Sequence, residues 1–327
     1  MPNIKDVARE AGVSTATVSR VLNTPEKVSR KTVGKVNAAI EKLEYSPEAN
    51  HSAVYGAGTK RILVVLPDFR NSFMSDVISG INDQALKSDY TLMVAATDSM
   101  MEREREIIRI LHNRQADGVI FLTSVLPGEE IQNIARRYPA VQCCEYVDAP
   151  EAAHVSIDNY AAGKTAMEYL IRLGYEDIVM LSSTNRFIST TLREKAYLDA
   201  MKAIGGPKRE NPIYRASYSF ESGQIGMQNY LLNGTHPQAV FAISDTVAAG
   251  AIRAISEVGL SVPGDVAVIG VDNIKLCTLF SPQITTIAQP RHRLGSTAVR
   301  LLINRIGGMT NQSNVFLPHE LIVREST

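Results

Sequence analysis

Cysteine is scarce in the 327-residue chain: three occur, and two of them, Cys143 and Cys144, are adjacent inside an apolar run. That spacing suits neither a disulfide framework nor a zinc site, so a reducing compartment, the cytoplasm, is expected. The opening residues MPNIKDVARE lack the apolar centre of a secretory signal. Nor does any window approach the roughly 18 uninterrupted apolar residues of a membrane span, which argues against export and insertion. Charge of either sign is not in excess: Lys plus Arg and Asp plus Glu both number 34, which argues against a generic polyanion binder. Catalytic signatures are missing as well, with no His-Glu-x-x-His, Gly-x-Ser-x-Gly or Cys-x-x-Cys. The stretch AAGKT at 161–165 resembles the tail of a phosphate-binding loop, but the required glycine is replaced by Asp158. GAGTKR at 56–61 lacks the third glycine of a dinucleotide fingerprint and precedes a predicted strand instead of following one. Neither motif holds, no cofactor or metal is implied, and the chain is not expected to be an enzyme.

What is present is uneven. Residues 1–60 carry nine basic and six acidic side chains, so a small basic head precedes a mildly acidic body. The length exceeds what one core serves efficiently and predicts two or three domains. In the head, Asn3 can cap a helix through Ala11, with Gly12 as its left-handed stop; Ser14 can cap a second helix to Asn23, and Ser29 a third. The apolar spacing predicts Val18, Val21 and Leu22 as the buried side of the second helix, and Val33, Val36, Ile40 and Leu43 as that of the third. From Arg61 onward, short β-branched runs such as RILVVL, GVIFL, DIVML and VAVIGVD alternate with amphipathic helices. About ten strands in that alternation predict two doubly wound parallel-sheet units, with a ligand crevice at the carboxyl ends of the strands. The stretch SPEANHSAVYGAGTK between head and body reads as a hinge or linker.

The second predicted helix turns Thr15, Ala16, Thr17, Ser19, Arg20 and Asn23 outward. Small side chains permit close approach to a major groove, hydroxyls reach phosphates, and one arginine can bond guanine bidentately. A solvated helix in an unrelated three-helix bundle is the competing reading of the spacing alone.

The segments IKDVAREAGVSTATVSRVLN, VSRKTVGKV and LEYSP resemble the headpiece of the lactose-repressor/galactose-repressor family of bacterial regulators. The likeness runs on through VSIDNYAAG, SDTVAAGAIRAISEVGLSVPGDVAVIGVDN, ITTIAQP and LPHELIVREST, and so covers essentially the whole chain. It implies a helix-turn-helix headpiece (1–47), a hinge (48–60) and a two-lobed body of periplasmic-binding-protein type (61–327). Such a protein is a homodimeric repressor of a pseudo-palindromic DNA operator, with affinity controlled by a small polar effector such as a sugar, sugar acid or nucleoside. By the resemblance, Thr15, Ala16 and Arg20 read bases; Ser14, Thr17, Ser19, Asn23 and Ser29 hold phosphates; Tyr45 helps to fix the headpiece.

The linker departs from the family pattern. Where relatives carry Ala-Arg-x-Leu, this chain has His51-Ser52-Ala53-Val54, so the apolar wedge for the minor groove falls to the shorter Val54, a poorer helix former than leucine, beside His51. In the body, the resemblance places Phe73, Arg193 and Asp272 in the effector cleft, with Phe187, Ser189 and Tyr218 as candidates by position. An aromatic platform, a donor fork and a carboxylate together suit a sugar or nucleoside. Asp245 suits either a ligand contact or the N-cap of the helix that follows, and Arg186 together with Arg193 would admit an acid. A free-standing sugar receptor would share the body but not the head, and an α/β enzyme would share the alternation but not the missing motifs.

Overall fold

The computed structural model describes residues 4–23, 25, 28–43, 58–232, 235–309 and 314–327. The chain divides into two compact units, Met1–Lys60 and Arg61–Thr327. In the first, α1 (Ile4–Ala11), α2 (Thr15–Asn23) and α3 (Arg30–Lys42) share a small core of Val7, Ala8, Ala11, Val18, Val21, Val36 and Ala39. Gly12 adopts φ +63° and ends α1, and the Ser29 hydroxyl accepts the Thr32 N–H to start α3. Val33, Ile40 and Leu43 pack against the core only partly buried, and Leu22 is 36% exposed, not the core residue its spacing predicts. A helix of nine residues in so small a bundle has room to bury only its Val18–Val21 stripe.

The second unit contains β1 (Arg61–Leu66), α4 (Ser72–Leu86), β2 (Thr91–Ala96), α5 (Met101–His112), β3 (Gly118–Phe121), α6 (Gly128–Arg137), β4 (Ala140–Cys143) and β5 (Ala153–Ile157). It continues with α7 (Asn159–Arg172), β6 (Ile178–Ser183), α8 (Ile188–Ala203), β7 (Ile213–Ala216), α9 (Phe220–Leu231), β8 (Ala239–Ala242), α10 (Asp245–Glu257) and β9 (Ala267–Asp272). The chain ends with α11 (Leu276–Leu279), β10 (Thr285–Ala288), α12 (Arg291–Ile306), β11 (Val315–Leu317) and β12 (Glu320–Ile322).

These strands form two six-stranded sheets, ordered β11-β5-β4-β3-β1-β2 and β12-β10-β9-β8-β6-β7, parallel throughout except for the antiparallel β10–β12 pair. Each is a lobe. The chain passes from the first lobe to the second between β5 and α7, returns between β10 and α12, and crosses once more between β11 and β12. Central strands such as β3, β4, β6, β8 and β9 are buried along their whole length, as expected where helices cover both faces of a parallel sheet. Strand order reverses between β3 and β1 and between β8 and β6, which sets the crevice at the carboxyl ends of those strands.

Helix pairs pack backbone to backbone in both lobes. A side chain on Gly80 in α4 would land on the His292 carbonyl, and one on Gly295 in α12 on the Val77 carbonyl; Gly223 and Gly250 make the equivalent reciprocal contact between α9 and α10. Gly250→Ala therefore forces two helices apart, and it is expected to destabilise the second unit by ~1–3 kcal/mol in urea denaturation. Unchanged stability would mean that α9 and α10 do not meet so closely.

Candidate DNA-reading helix and effector cleft

On α2, Thr15, Ala16 and Arg20 are exposed and Thr17 and Ser19 half-buried, while Val18 and Val21 anchor the helix from the other side. Five of the proposed DNA contacts therefore occupy the face away from the core. The Ser14 hydroxyl accepts the Thr17 N–H at 3.2 Å and lies 2.9 Å from the Thr17 hydroxyl, so it also serves as the helix cap. Ser29 plays the same double role beside Thr32, with the hydroxyls 2.8 Å apart. The side chain of Asn23, and all of Tyr45, His51 and Val54, lie outside the described residues.

The cleft is built where strands end. Arg193, on α8, is only 2% exposed. Its Nε donates to Asn159 Oδ1 at 3.0 Å, and its Nη1 to the Tyr218 hydroxyl at 3.1 Å and to the Ile243 carbonyl at 2.8 Å. Burial opposes its charge, but Tyr218, Asp272 and Glu145 around it hold the guanidinium firmly protonated. The Tyr218 hydroxyl donates in turn to the Ile243 carbonyl at 3.1 Å, and burial pushes its pKa well up.

Asp272 ends β9 with φ +118°, a conformation that is strained for a residue with a side chain. Its Oδ1 accepts from Gln289 Nε2 at 2.7 Å. Burial raises its pKa to about 6, against the opposing pull of Arg193, Gln289 and Arg291. Arg291 Nη1 lies 2.7 Å from Asp76 Oδ2, tying the start of α12 to α4. From the first lobe, Glu145 follows the end of β4 and accepts both the Ser189 N–H, at 3.2 Å, and the Ser189 hydroxyl. Burial raises the Glu145 pKa too, opposed by Ser189 and Arg193 and reinforced by Asp272.

Of the expected cleft residues, Ser189, Arg193, Tyr218 and Asp272 thus converge on one network. Phe73 is 5% exposed and sits in the main apolar core at the start of α4, where its N–H donates to Asn71 Oδ1. Phe187 is half-buried at the N-terminus of α8. Arg186 is exposed and lines a separate cavity, so it does not join Arg193 as a second cation. Asp245 is not the helix cap: the Ser244 hydroxyl accepts the Val247 N–H instead. Asp245 is fully buried and accepts the Ile274 N–H at 2.9 Å and the Thr286 hydroxyl at 2.6 Å, tying β10 and the turn after β9 to α10. Burial and then the nearby Asp272 raise its pKa to about 7.

Glu145, Gln289 and Asn159 were not anticipated. Each is among the first polar residues after a strand, the place where side chains face the crevice. Asn159 and Gln289 also lie at two of the interlobe crossings, and Glu145–Ser189 joins the lobes directly. The residues around Arg193 and Asp272 thus belong to segments that join the two lobes. Among the described residues no helix is long and apolar enough to cross a membrane, and no cluster of metal-ligating side chains occurs.

Residues 3–48 match the family described as bacterial regulatory proteins, lacI family, and residues 167–327 match a periplasmic binding protein-like domain. The chain is 34% identical to the HTH-type transcriptional repressor PurR of Vibrio atlanticus (strain LGP32), over all of this chain and 98% of that protein. Among solved structures it resembles the complex of the transcriptional regulator CelR with cellobiose, with TM-score 0.75, 28% identity and full coverage of both chains. It also resembles the lac repressor dimer bound to operator and the anti-inducer ONPF, with TM-score 0.75, 27% identity, and coverage of 99% of this chain and 98% of that one. A three-helix head, a two-lobed body and a likeness along its whole length agree: the chain belongs to the lacI family, as a DNA-binding transcriptional repressor under the control of a small effector.

Proposed function

We propose that this repressor acts in the cytoplasm as a homodimer on a pseudo-palindromic operator and that its effector is an uncharged polyhydroxyl molecule, a neutral sugar or a nucleoside. Residues 1–47 form the DNA-binding headpiece, 48–60 the hinge and 61–327 the regulatory body. Ser14, Thr15, Ala16, Thr17, Ser19, Arg20, Asn23, Ser29, His51 and Val54 face DNA. Phe73, Phe187, Ser189, Arg193, Tyr218 and Asp272, with Glu145 and Gln289, surround the effector.

The observation that carries the effector class is the charge of the cleft. Two carboxylates, Asp272 and Glu145, lie near the buried guanidinium of Arg193, whose Nε and Nη1 are committed to Asn159, Tyr218 and Ile243, while Arg291, the other guanidinium acting on Asp272, is paired with Asp76. An anionic ligand would meet more negative than positive charge there, whereas sugar hydroxyls donate well to carboxylates. A thermal-shift panel of neutral sugars, nucleosides, sugar acids and sugar phosphates tests this. Neutral compounds should raise the melting temperature and the acids should not; a shift given only by acids or phosphates would refute the proposed class.

The same carboxylates predict a pH dependence. Asp272 accepts ligand hydroxyls best when ionised, so effector affinity should fall as the pH drops through about 6, by about tenfold between pH 7 and pH 5. Stability should move the other way. Asp245 and Asp272 have raised pKa values in the folded state, so that state binds more protons than the unfolded chain above the ordinary carboxylate range. Their contribution to stability therefore declines as the pH rises from about 4 to 7. Calorimetric titrations at pH 5 and 7 check the first point and denaturation at the same pH values the second; effector affinity flat over this range would exclude Asp272 as an ionised ligand.

A further inference from the structure

Beside the Glu145–Ser189 contact lies a cavity of about 440 Å³ whose walls come from both lobes. The stretch after β4, with His154 of β5 and Asn314, forms one side; Arg186, Ile188 and Thr191 at the start of α8 form the other. Its volume falls in the range of small-molecule pockets, ~300–1,000 Å³. His154 is 8% exposed, and its Nε2 is buried without a hydrogen-bond partner among the described residues. A buried polar atom left so is costly, and few remain in a folded protein unless something occupies the neighbouring space. The imidazole stacks on Tyr146 at 3.9 Å and 3°, with Phe316 edge-on at 5.4 Å.

We propose that this cavity is a second small-molecule site, separate from the Arg193–Asp272 network, and that it takes a small aromatic hydroxy acid. Val147, Pro150 and Ile188 give it apolar walls, which suit a flat hydrocarbon body. The exposed Arg186 guanidinium on its rim pairs with a carboxylate, and Asp148 on the same rim limits the ligand to one negative charge. Burial lowers the His154 pKa and keeps the ring neutral, so Nε2 is either an N–H or a bare acceptor. A hydroxyl that reaches this nitrogen on binding would satisfy either tautomer, since it donates and accepts. Because Tyr146 and Ile188 adjoin Glu145 and Ser189, a ligand here would bridge the lobes next to their direct contact.

Calorimetric titration of the full-length protein with 4-hydroxybenzoate tests the proposal. Saturable binding is expected, weakened at least about tenfold by His154→Phe, which keeps the stacked ring but removes its nitrogens. Thr191→Phe, on the exposed side of α8, fills the cavity without touching the core and should abolish binding; it decides the matter should the histidine variant fail to fold. No binding to the wild type, or binding that survives Thr191→Phe, overturns the proposal. So does binding lost in Asp272→Asn but kept in Thr191→Phe, which would put the probe in the effector cleft.

Discussion

Arg193→Ala is expected to remove the effector response and to destabilise the regulatory body by ~3–5 kcal/mol at neutral pH. The side chain is 2% exposed and donates to Asn159, Tyr218 and the Ile243 carbonyl. Truncation leaves those acceptors in a dry site and removes the positive charge nearest Asp272 and Glu145. Both carboxyls already have raised pKa values and can discharge by taking up protons. The loss should therefore be smaller at pH 5.5 than at pH 7.5. Arg193→Lys should not rescue it, because one ammonium cannot replace a fork that reaches Asn159 from Nε and Ile243 from Nη1. Urea denaturation of the three proteins at both pH values measures this, and a pH-independent loss would show that the carboxylates do not depend on Arg193.

Arg20→Ala is the second large effect. Among the base-reading candidates on α2, Thr15 and Ala16 offer little beyond methyl contact with thymine, and Arg20 alone can bond guanine through two donors. The substitution is expected to cost ~1–3 kcal/mol on the operator and far less on unrelated DNA. Because the side chain is exposed and the α2 core rests on Val18 and Val21, the fold should be unaffected. Footprinting at matched salt reads the difference; the same sequence preference with and without this arginine would remove it from base recognition.

Local signals made much of this architecture legible. Gly12, Ser14 and Ser29 mark helix ends through their own backbone chemistry, and they sit where expected. The long buried strands announce themselves as unbroken apolar runs. Shorter strands did not: β7 is a half-buried edge strand, and β11 and β12 have three residues each, so their place is set by the neighbours β6, β5 and β10. The candidate cleft was legible where the resemblance marked Arg193 and Asp272, which share one electrostatic network. It was not where contacts are tertiary: Glu145 meets Ser189 across 44 positions of sequence, and Asp245 meets Thr286 across 41. Spacing along one element cannot report such pairs, which is also why Asp245, open in the sequence between a ligand contact and a helix cap, proves a buried tie between β10 and α10.

A neutral ligand held by Asp272 is expected to control DNA binding at a separate unit of the chain. Fluorescence anisotropy of a labelled operator, titrated with repressor over a range of concentrations of the neutral sugar or nucleoside that shifts the melting temperature, tests it in wild type and Asp272→Asn. Effector-free operator affinity should be the same in both, while the effector concentration needed for half the response should rise at least about tenfold in the variant. An unchanged half-response, or a variant that loses operator affinity without any effector present, would contradict it.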